Sequence, residues 1–284
     1  MNYRSVFESA LALPVLVFLT VQQDRRCATL VAFTSFSYCI LYIILRATGI
    51  GQINPPHEQD TKAGSQRIQQ SSSSFGDSDS AEWRSRILST VNATVLTFGS
   101  LLCFAEWPYD PVPEGWTNPN RIWSNPVTFA SLFVGFLQWD ICWIIWHRHQ
   151  HNDNSAALHH IIFIGVTHYV LWGVYFKKPY AWLSFTELST PFLNARWYYA
   201  ASGQKESNGY FYSSLAFAFT FLLTRVVGYS LGLLDLWLNY NEWKVAGGLH
   251  GVAVGLILAY LLNLFWSIKI INAVQRVLKK KKSG

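Results

Sequence analysis

The chain has 284 residues, of which 51% are apolar and only 13% are charged. Soluble domains carry about 25% charged residues, so this composition excludes an ordinary water-soluble protein. The net charge of +6 does not indicate a nucleic-acid partner, because four of the lysines lie in one short tail, Lys279–Lys282, which suits an anionic lipid surface.

The apolar residues occur in long runs that predict an all-α, multi-pass membrane protein. Most of these runs approach or exceed the roughly 20 residues needed to cross a hydrocarbon core. The first run, 7–22, is short and is interpreted as an uncleaved span, with a signal anchor or a re-entrant segment as alternatives. We predict seven or eight spans, at about 7–22, 27–49, 87–106, 126–146, 158–176, 180–201, 210–235 and 243–269.

The polar stretches between the spans differ in character. Residues 51–81 are rich in Gln, Ser, Asp and Gly, which predicts a disordered loop after N-terminal transmembrane segments within 1–50. Residues 107–125 combine prolines with tryptophans, a mixture that favours an ordered loop at the membrane interface. The remaining spans form one membrane domain, 82–278, followed by a basic tail, 279–284.

Lysine and arginine predict the orientation. With eight spans and a cytosolic C-terminus, fourteen of these residues lie on the cytosolic side and six on the opposite side, as the positive-inside rule requires. Lys281 and Lys282 then occupy the third and fourth places from a cytosolic chain end. This spacing matches a dilysine signal, read by COPI-type retrieval machinery, for the endoplasmic reticulum; the alternative is a plain solvated tail.

Charged and polar side chains inside the spans need an inward-facing role, because each charge costs at least about 2.5–3.5 kcal/mol at the bilayer centre. Asp140 lies six residues, or about 9 Å, before the end of its helix, and His159 and His160 open the next helix from the same side. We expect them to meet, since an Asp near a His suits a general base or nucleophile. The alternative is that the histidines cap a helix.

A second polar group surrounds Pro191. Glu187, Pro191 and Asn194 share one helix face, with Thr190 beside them. Pro191 removes the hydrogen bond to the Glu187 carbonyl and is expected to kink the helix. This pattern fits either a substrate cavity or a packing hinge with an internal Glu187–Arg225 ion pair. The residues predicted to line the interior also include Asn92, His168, Arg196 and Asn263.

The spacing of the histidines also bears on metal binding. His147 and His151 form an H-x-x-x-H pattern, which together with the later pair is similar to the boxes of membrane di-iron enzymes. Those sites need about eight histidines, including H-x-x-H-H boxes, whereas position 156 is alanine. We therefore predict no metal site and no bound cofactor.

Three strings of residues carry a family resemblance. Residues 83–90 read WRSRILST, residues 187–197 read ELSTPFLNARW, and residues 266–270 read WSIKI, with Asp140 and the histidine pair between the first two. In this order the chain resembles the TLC-domain family, named after the TRAM, Lag1 and CLN proteins, and most of all its subgroup called TLC domain-containing protein 4. The resemblance covers about residues 82–278.

The resemblance implies a six-helix bundle around a central, lipid-accessible cavity, with one or two additional N-terminal helices. In the ceramide synthases, which share this domain, the paired histidines belong to the site that transfers an acyl group from acyl-CoA to an amine. By this likeness His159 and His160 would be catalytic, with Asp140 as an orienting partner. Glu187, Thr190, Asn194, Arg196, Arg225 and Asn92 would bind substrate.

The chain departs from the ceramide synthases where their signature has His-Asp and a second Asp, since it has Thr186-Glu187 and Thr190 there. Asn92 also replaces a histidine of the first core helix. The resemblance therefore implies a lipid-homeostasis protein of the endoplasmic reticulum that binds or senses membrane lipid. The alternative is a lipid acyltransferase with acyl-CoA as co-substrate.

Overall fold

A computed structural model describes residues 25–51, 66–106, 126–147, 154–173, 177–244 and 249–283, and the regular structure in these ranges is helical. The first four helices are α1 (Arg25–Ala47), α2 (Gln66–Glu106), α3 (Pro126–Trp146) and α4 (Asn154–Gly173). They are followed by α5 (Lys177–Phe185), a 3₁₀ turn (Thr186–Ser189) and α6 (Thr190–Ala201). The chain continues through α7 (Asn208–Phe221), a π-helical segment (Leu222–Gly228), α8 (Tyr229–Leu238), α9 (Tyr240–Trp243) and α10 (Leu249–Ser283).

Five stretches of the described chain are long and apolar enough to cross a membrane. They are Ala28–Ala47, Asp79–Phe104, Thr128–Trp146, Asn208–Leu238 and His250–Arg276, and Ala157–His168 is a shorter apolar helix. The all-α, multi-pass architecture predicted from the sequence is therefore confirmed. The total of seven or eight spans stays a prediction, because the run 7–22 lies outside the described residues.

The N-terminal part of α2 differs from the expectation. Residues 66–81, which the sequence predicts to be part of a disordered loop, belong to this helix, while 52–65 and the predicted interfacial loop 107–125 lie outside the described residues. Gln is a good helix former and Ser a moderate one, so neither forbids helical geometry. Because they extend an apolar helix that is already packed, they avoid the unfavourable free energy of helix nucleation.

The predicted span 180–201 is not one continuous helix. The 3₁₀ turn separates α5 from α6, and Pro191 occupies the first turn of α6, where its missing amide hydrogen breaks no helical bond. The carbonyl of Glu187 is not left free, because the backbone N–H of Thr190 donates to it. The kink expected at Pro191 stays a prediction, and the structure shows a change of helical type immediately before this proline, where the 3₁₀ turn satisfies the Glu187 carbonyl.

The helices pack through small and polar residues and expose apolar ones. Gly135 of α3 lies against α1, where Ser35 donates a hydrogen bond of 2.9 Å from its hydroxyl to the Gly135 carbonyl. Gln138 and Thr167 are fully buried, whereas Trp237 is 75% exposed. Buried polar groups and exposed apolar ones suit a bundle that faces hydrocarbon.

Candidate functional site

Some of the polar residues that the sequence predicts to face inward line one cleft between the helices. It is contributed by α3, α4, α5, the 3₁₀ turn, the π-helical segment, α8 and α10. Its empty space is about 390 Å³ including its mouth, and the enclosed part has room for about one water molecule. The lining residues are Phe133, His159, Phe163, Leu183, Thr186, Glu187, Arg225, Tyr229, Ala259, Leu262, Asn263 and Trp266. We call this space the central cavity.

An ion pair forms one wall of the central cavity. Nη2 of Arg225 lies 3.4 Å from Oε1 of Glu187, and its Nε donates to the hydroxyl of Ser189 at 3.1 Å. The other carboxylate oxygen of Glu187 accepts a hydrogen bond of 2.8 Å from Thr190. The sequence left open either a substrate cavity or an internal ion pair at this segment. The structure contains the ion pair, and the pair lines a cavity.

Two irregular helical segments hold this pair in place. Glu187 and Ser189 belong to the 3₁₀ turn, and Arg225 lies in the middle of the π-helical segment. The hydroxyl of Thr224 lies 3.4 Å from the carbonyl of Thr186, so the two segments also touch beside the pair. A π-helical turn shifts the side chains that follow it around the helix axis and is frequent at functional sites.

The two histidines point to different neighbours. The ring of His159 lines the central cavity, 4.5 Å from the ring of Phe163 and 6.4 Å from that of Trp266, centroid to centroid. Within the described part of the chain, its ring nitrogens have no hydrogen-bond partner. His159 is thus the member of the pair that a ligand in the cavity would meet.

His160 is directed to Asp140 instead. Its Nδ1 lies 3.4 Å from Oδ2 of Asp140, an ion-pair distance that is long for a hydrogen bond. The hydroxyl of Ser85 donates to the other carboxylate oxygen at 3.5 Å. The predicted meeting of Asp140 with the histidine pair is confirmed for His160, and the catalytic roles of the three residues stay predictions.

Three other residues predicted to bind substrate are engaged between helices and do not line the central cavity. Asn194 accepts from Nη1 of Arg86 at 3.0 Å and donates to the Arg86 carbonyl at 3.1 Å and to the Thr90 hydroxyl at 2.9 Å. Arg196 donates to the hydroxyl of Tyr210 at 3.1 Å. Asn92 accepts from the Tyr38 hydroxyl at 3.5 Å.

Thr190 does not line the central cavity, but its hydroxyl donates a hydrogen bond to Glu187, which does. Glu187 and Asn194, which the sequence places on one helix face, therefore have different partners. The cause is the 3₁₀ turn, because its residues advance by about 120° rather than 100° and so rotate Glu187 relative to α6.

Sequence reasoning missed part of the lining. Phe133, Phe163 and Leu183 are apolar residues in apolar helices, so nothing in the sequence separates them from lipid-facing ones. Ser189 does not line the cavity but accepts a hydrogen bond from Arg225. Its position two residues after Glu187 was only a weak indication of this role. In the described chain, no three His, Cys, Asp or Glu side chains are grouped so that they could hold a metal ion.

Comparisons with known proteins agree with this architecture. The family model for the TLC domain matches residues 82–272. TLC domain-containing protein 4 of Xenopus tropicalis is 28% identical over 222 residues, which is 74% of this chain and 81% of that protein. TLC domain-containing protein 4 A of Dictyostelium discoideum is 26% identical over 73% of this chain and 80% of its own length.

A third relative, TLC domain-containing protein 4-B of Danio rerio, is 25% identical over 72% of this chain and 77% of its own length. No solved structure shows a significant match to the chain. Because the family model covers the greater part of the sequence, including every helix that lines the central cavity, this chain belongs to the TLC-domain family.

Proposed function

We propose that this protein binds a membrane lipid in the central cavity and acts in lipid homeostasis. The observation that carries the proposal is the partly buried Glu187–Arg225 pair, set beside His159 and Asn263 in a cleft of a membrane bundle. Ionisable groups inside a membrane bundle are costly and are by default candidates for a ligand site. A lipid whose polar end reaches them would offset that cost.

The residues beside the cavity favour a ligand from the bilayer. Leu262 of α10 lines the central cavity and is 38% exposed. Its neighbours Leu258 and Leu261 are exposed apolar residues of the kind that face hydrocarbon. A lipid chain at this surface would therefore reach the cavity without crossing water.

Acyl transfer is the second candidate, because His159 lies in the same cavity as the ion pair. In this reaction the acceptor's amine or hydroxyl attacks the thioester carbonyl of acyl-CoA while His159 accepts its proton. The carbon–sulfur bond then breaks, and the departing CoA thiolate takes the proton from the imidazole. His160 would serve as a positioning residue, since it is held at Asp140.

The cellular setting belongs to the same proposal. The basic tail and the Lys281-Lys282 spacing support residence in the endoplasmic reticulum with a cytosolic C-terminus and retrieval by COPI-type machinery. The five long apolar stretches and the exposed apolar faces support membrane lipids as the partners. Acyl-CoA would join them only in the acyltransferase case.

The test of lipid binding is cross-linking in cells fed a photoreactive, clickable fatty acid that enters many lipid classes. We expect cross-links on peptides that contain 159–163 and 259–266. Ala259→Trp places a bulky ring in the cavity and should abolish them, whereas Leu258→Trp, one residue away and 61% exposed, should not. Cross-links confined to outward-facing residues would overturn the proposal.

Purified protein with radiolabelled acyl-CoA and a panel of amine and hydroxyl lipids separates the two candidates. The acyltransferase predicts a labelled lipid that His159→Ala removes. His250→Ala is the matched control, because His250 is exposed at the start of α10. Absence of label with every acceptor, together with retained cross-links, would leave lipid binding and exclude acyl transfer to those acceptors.

A further inference from the structure

Asn263 is a buried polar side chain that the ion pair does not use. It is 5% exposed and lines the central cavity from α10. Its backbone carbonyl accepts a hydrogen bond of 2.8 Å from Ser267, but within the described residues its side-chain amide has no partner. The amide is not among the fully enclosed unpaired groups of the described chain, so it is open to the cavity and available to hydrogen-bond a ligand group.

The amide also restricts the chemistry of that group. A carboxamide offers two N–H donors and a carbonyl acceptor at the same position. Its natural complement is an uncharged group that both accepts and donates, such as an ester carbonyl beside a hydroxyl. His159, whose ring nitrogens are also without a partner in the described chain, faces the same space and adds one further donor or acceptor.

The charged residues of the cavity also favour an uncharged ligand. Glu187 and Arg225 are the charged residues among its described lining, and they already neutralise each other at 3.4 Å. A phosphate headgroup would bring at least one negative charge next to the Glu187 carboxylate, with no unpaired arginine or lysine in the described lining to receive it. An uncompensated charge of this kind is strongly disfavoured in a buried site.

We propose that the ligand of the central cavity is a lipid with an uncharged polar end, of the glycerolipid type with a hydroxyl next to an ester carbonyl, and that Asn263 recognises this end. The inference rests on the proposed lipid binding and adds the ligand class and its determinant. Glu187 then acts as the residue that excludes phospholipids, because its carboxylate cancels the attraction of Arg225 for phosphate.

The experiment uses two photoreactive probes that differ in one group. A clickable diacylglycerol and the phosphatidic acid with the same acyl chains are each presented to the full-length protein in nanodiscs of uncharged lipid. The cross-linked peptides are then quantified by mass spectrometry. We expect the diacylglycerol to label the cavity peptides 159–163 and 259–266 at least about tenfold more than phosphatidic acid, because the phosphate charge is uncompensated.

Two substitutions assign the preference to named residues. Asn263→Leu, which is similar in size but cannot hydrogen-bond, should lower diacylglycerol labelling about three- to tenfold. Its matched control is Ser267→Ala, one turn further along α10, buried and outside the cavity lining. Glu187→Gln should raise phosphatidic acid labelling, since it leaves Arg225 free to bind phosphate. Size-exclusion profiles establish that each variant is folded.

The outcomes separate this inference from the broader proposal. Equal or stronger labelling of the cavity by phosphatidic acid in the wild-type protein overturns the uncharged-lipid class and leaves lipid binding intact. Undiminished diacylglycerol labelling in Asn263→Leu overturns the role of Asn263. Absence of cavity labelling by both probes, together with the loss of the fatty-acid cross-links described above, overturns lipid binding itself.

Discussion

Oε1 of Glu187 lies 3.4 Å from Nη2 of Arg225, and this contact joins the 3₁₀ turn before α6 to the π-helical segment before α8. Both side chains are largely buried, so each charge has lost most of its solvation. A buried pair of this kind contributes little net stability, yet removing one partner leaves the other charge unpaired. The pair therefore constrains the fold at the same place where it forms the cavity wall.

The first prediction concerns the coupling within this pair. Arg225→Met should lower the unfolding free energy by about 3 kcal/mol or more, because Glu187 is left as a lone buried carboxylate. The loss of unfolding free energy in the double variant Glu187→Gln/Arg225→Met should be smaller than the sum of the losses in the two single variants, by at least about 1 kcal/mol. Denaturant titration of the purified protein in micelles measures all four states. Additive losses would show that the contact carries no coupling energy.

The second prediction concerns Asn194, which ties α6 to α2 through Arg86 and Thr90. Asn194→Leu should lower the unfolding free energy by about 1–3 kcal/mol, because the Arg86 guanidinium loses an acceptor and the Arg86 carbonyl and the Thr90 hydroxyl each lose a donor. Cross-linking of lipid in the central cavity should persist in the folded fraction. Loss of cross-links without loss of stability would instead mean that Asn194 contacts the ligand, as the sequence suggests.

The third prediction uses two glycines as a matched pair. A Cβ at Gly135 would lie 2.6 Å from the Cβ of Thr34 and 2.8 Å from the backbone carbonyl oxygen of Val31. The backbone of α1 cannot move away easily because it is held in a helix. Gly135→Ala should therefore destabilise the bundle by about 1–3 kcal/mol. A Cβ at Gly165 meets nothing within 4 Å, so Gly165→Ala should be neutral or stabilise the protein by up to about 1 kcal/mol through its higher helix propensity. Equal thermal midpoints for the two variants would contradict the close α1–α3 approach.

The fourth prediction concerns the C-terminal tail. Replacing Lys281 and Lys282 with serine should move a fluorescently tagged protein, labelled at its N-terminus, out of the endoplasmic reticulum. Lys279→Ser/Lys280→Ser removes the same charge without changing the dilysine spacing and is expected to leave the location unchanged. Movement of both double variants out of the endoplasmic reticulum would indicate that charge determines the location, and retention of both would contradict the retrieval signal.

Several features followed from the sequence because they depend on local physics. The bounds 126–146 match α3, since hydrophobic length alone sets a membrane helix. Pro191 marked the change from the 3₁₀ turn to α6, because a residue without an amide hydrogen suits the first turn of a helix. The approach of His160 to Asp140 followed from helical rise, because both lie near ends that one short connection joins.

The sequence by itself determined the membrane character, the approximate positions of the long apolar helices and the polar residues that had to turn inward, because each of these depends on local composition and spacing. Only the tertiary structure decided which inward residues share a site. Glu187, Arg225, His159 and Asn263 meet in one cavity, while Asn92, Asn194 and Arg196 bind side chains of other helices. The reason is geometric: a buried polar group takes the partner that its neighbouring helix presents, and the 3₁₀ and π-helical turns rotate those faces in a way that no spacing rule anticipates.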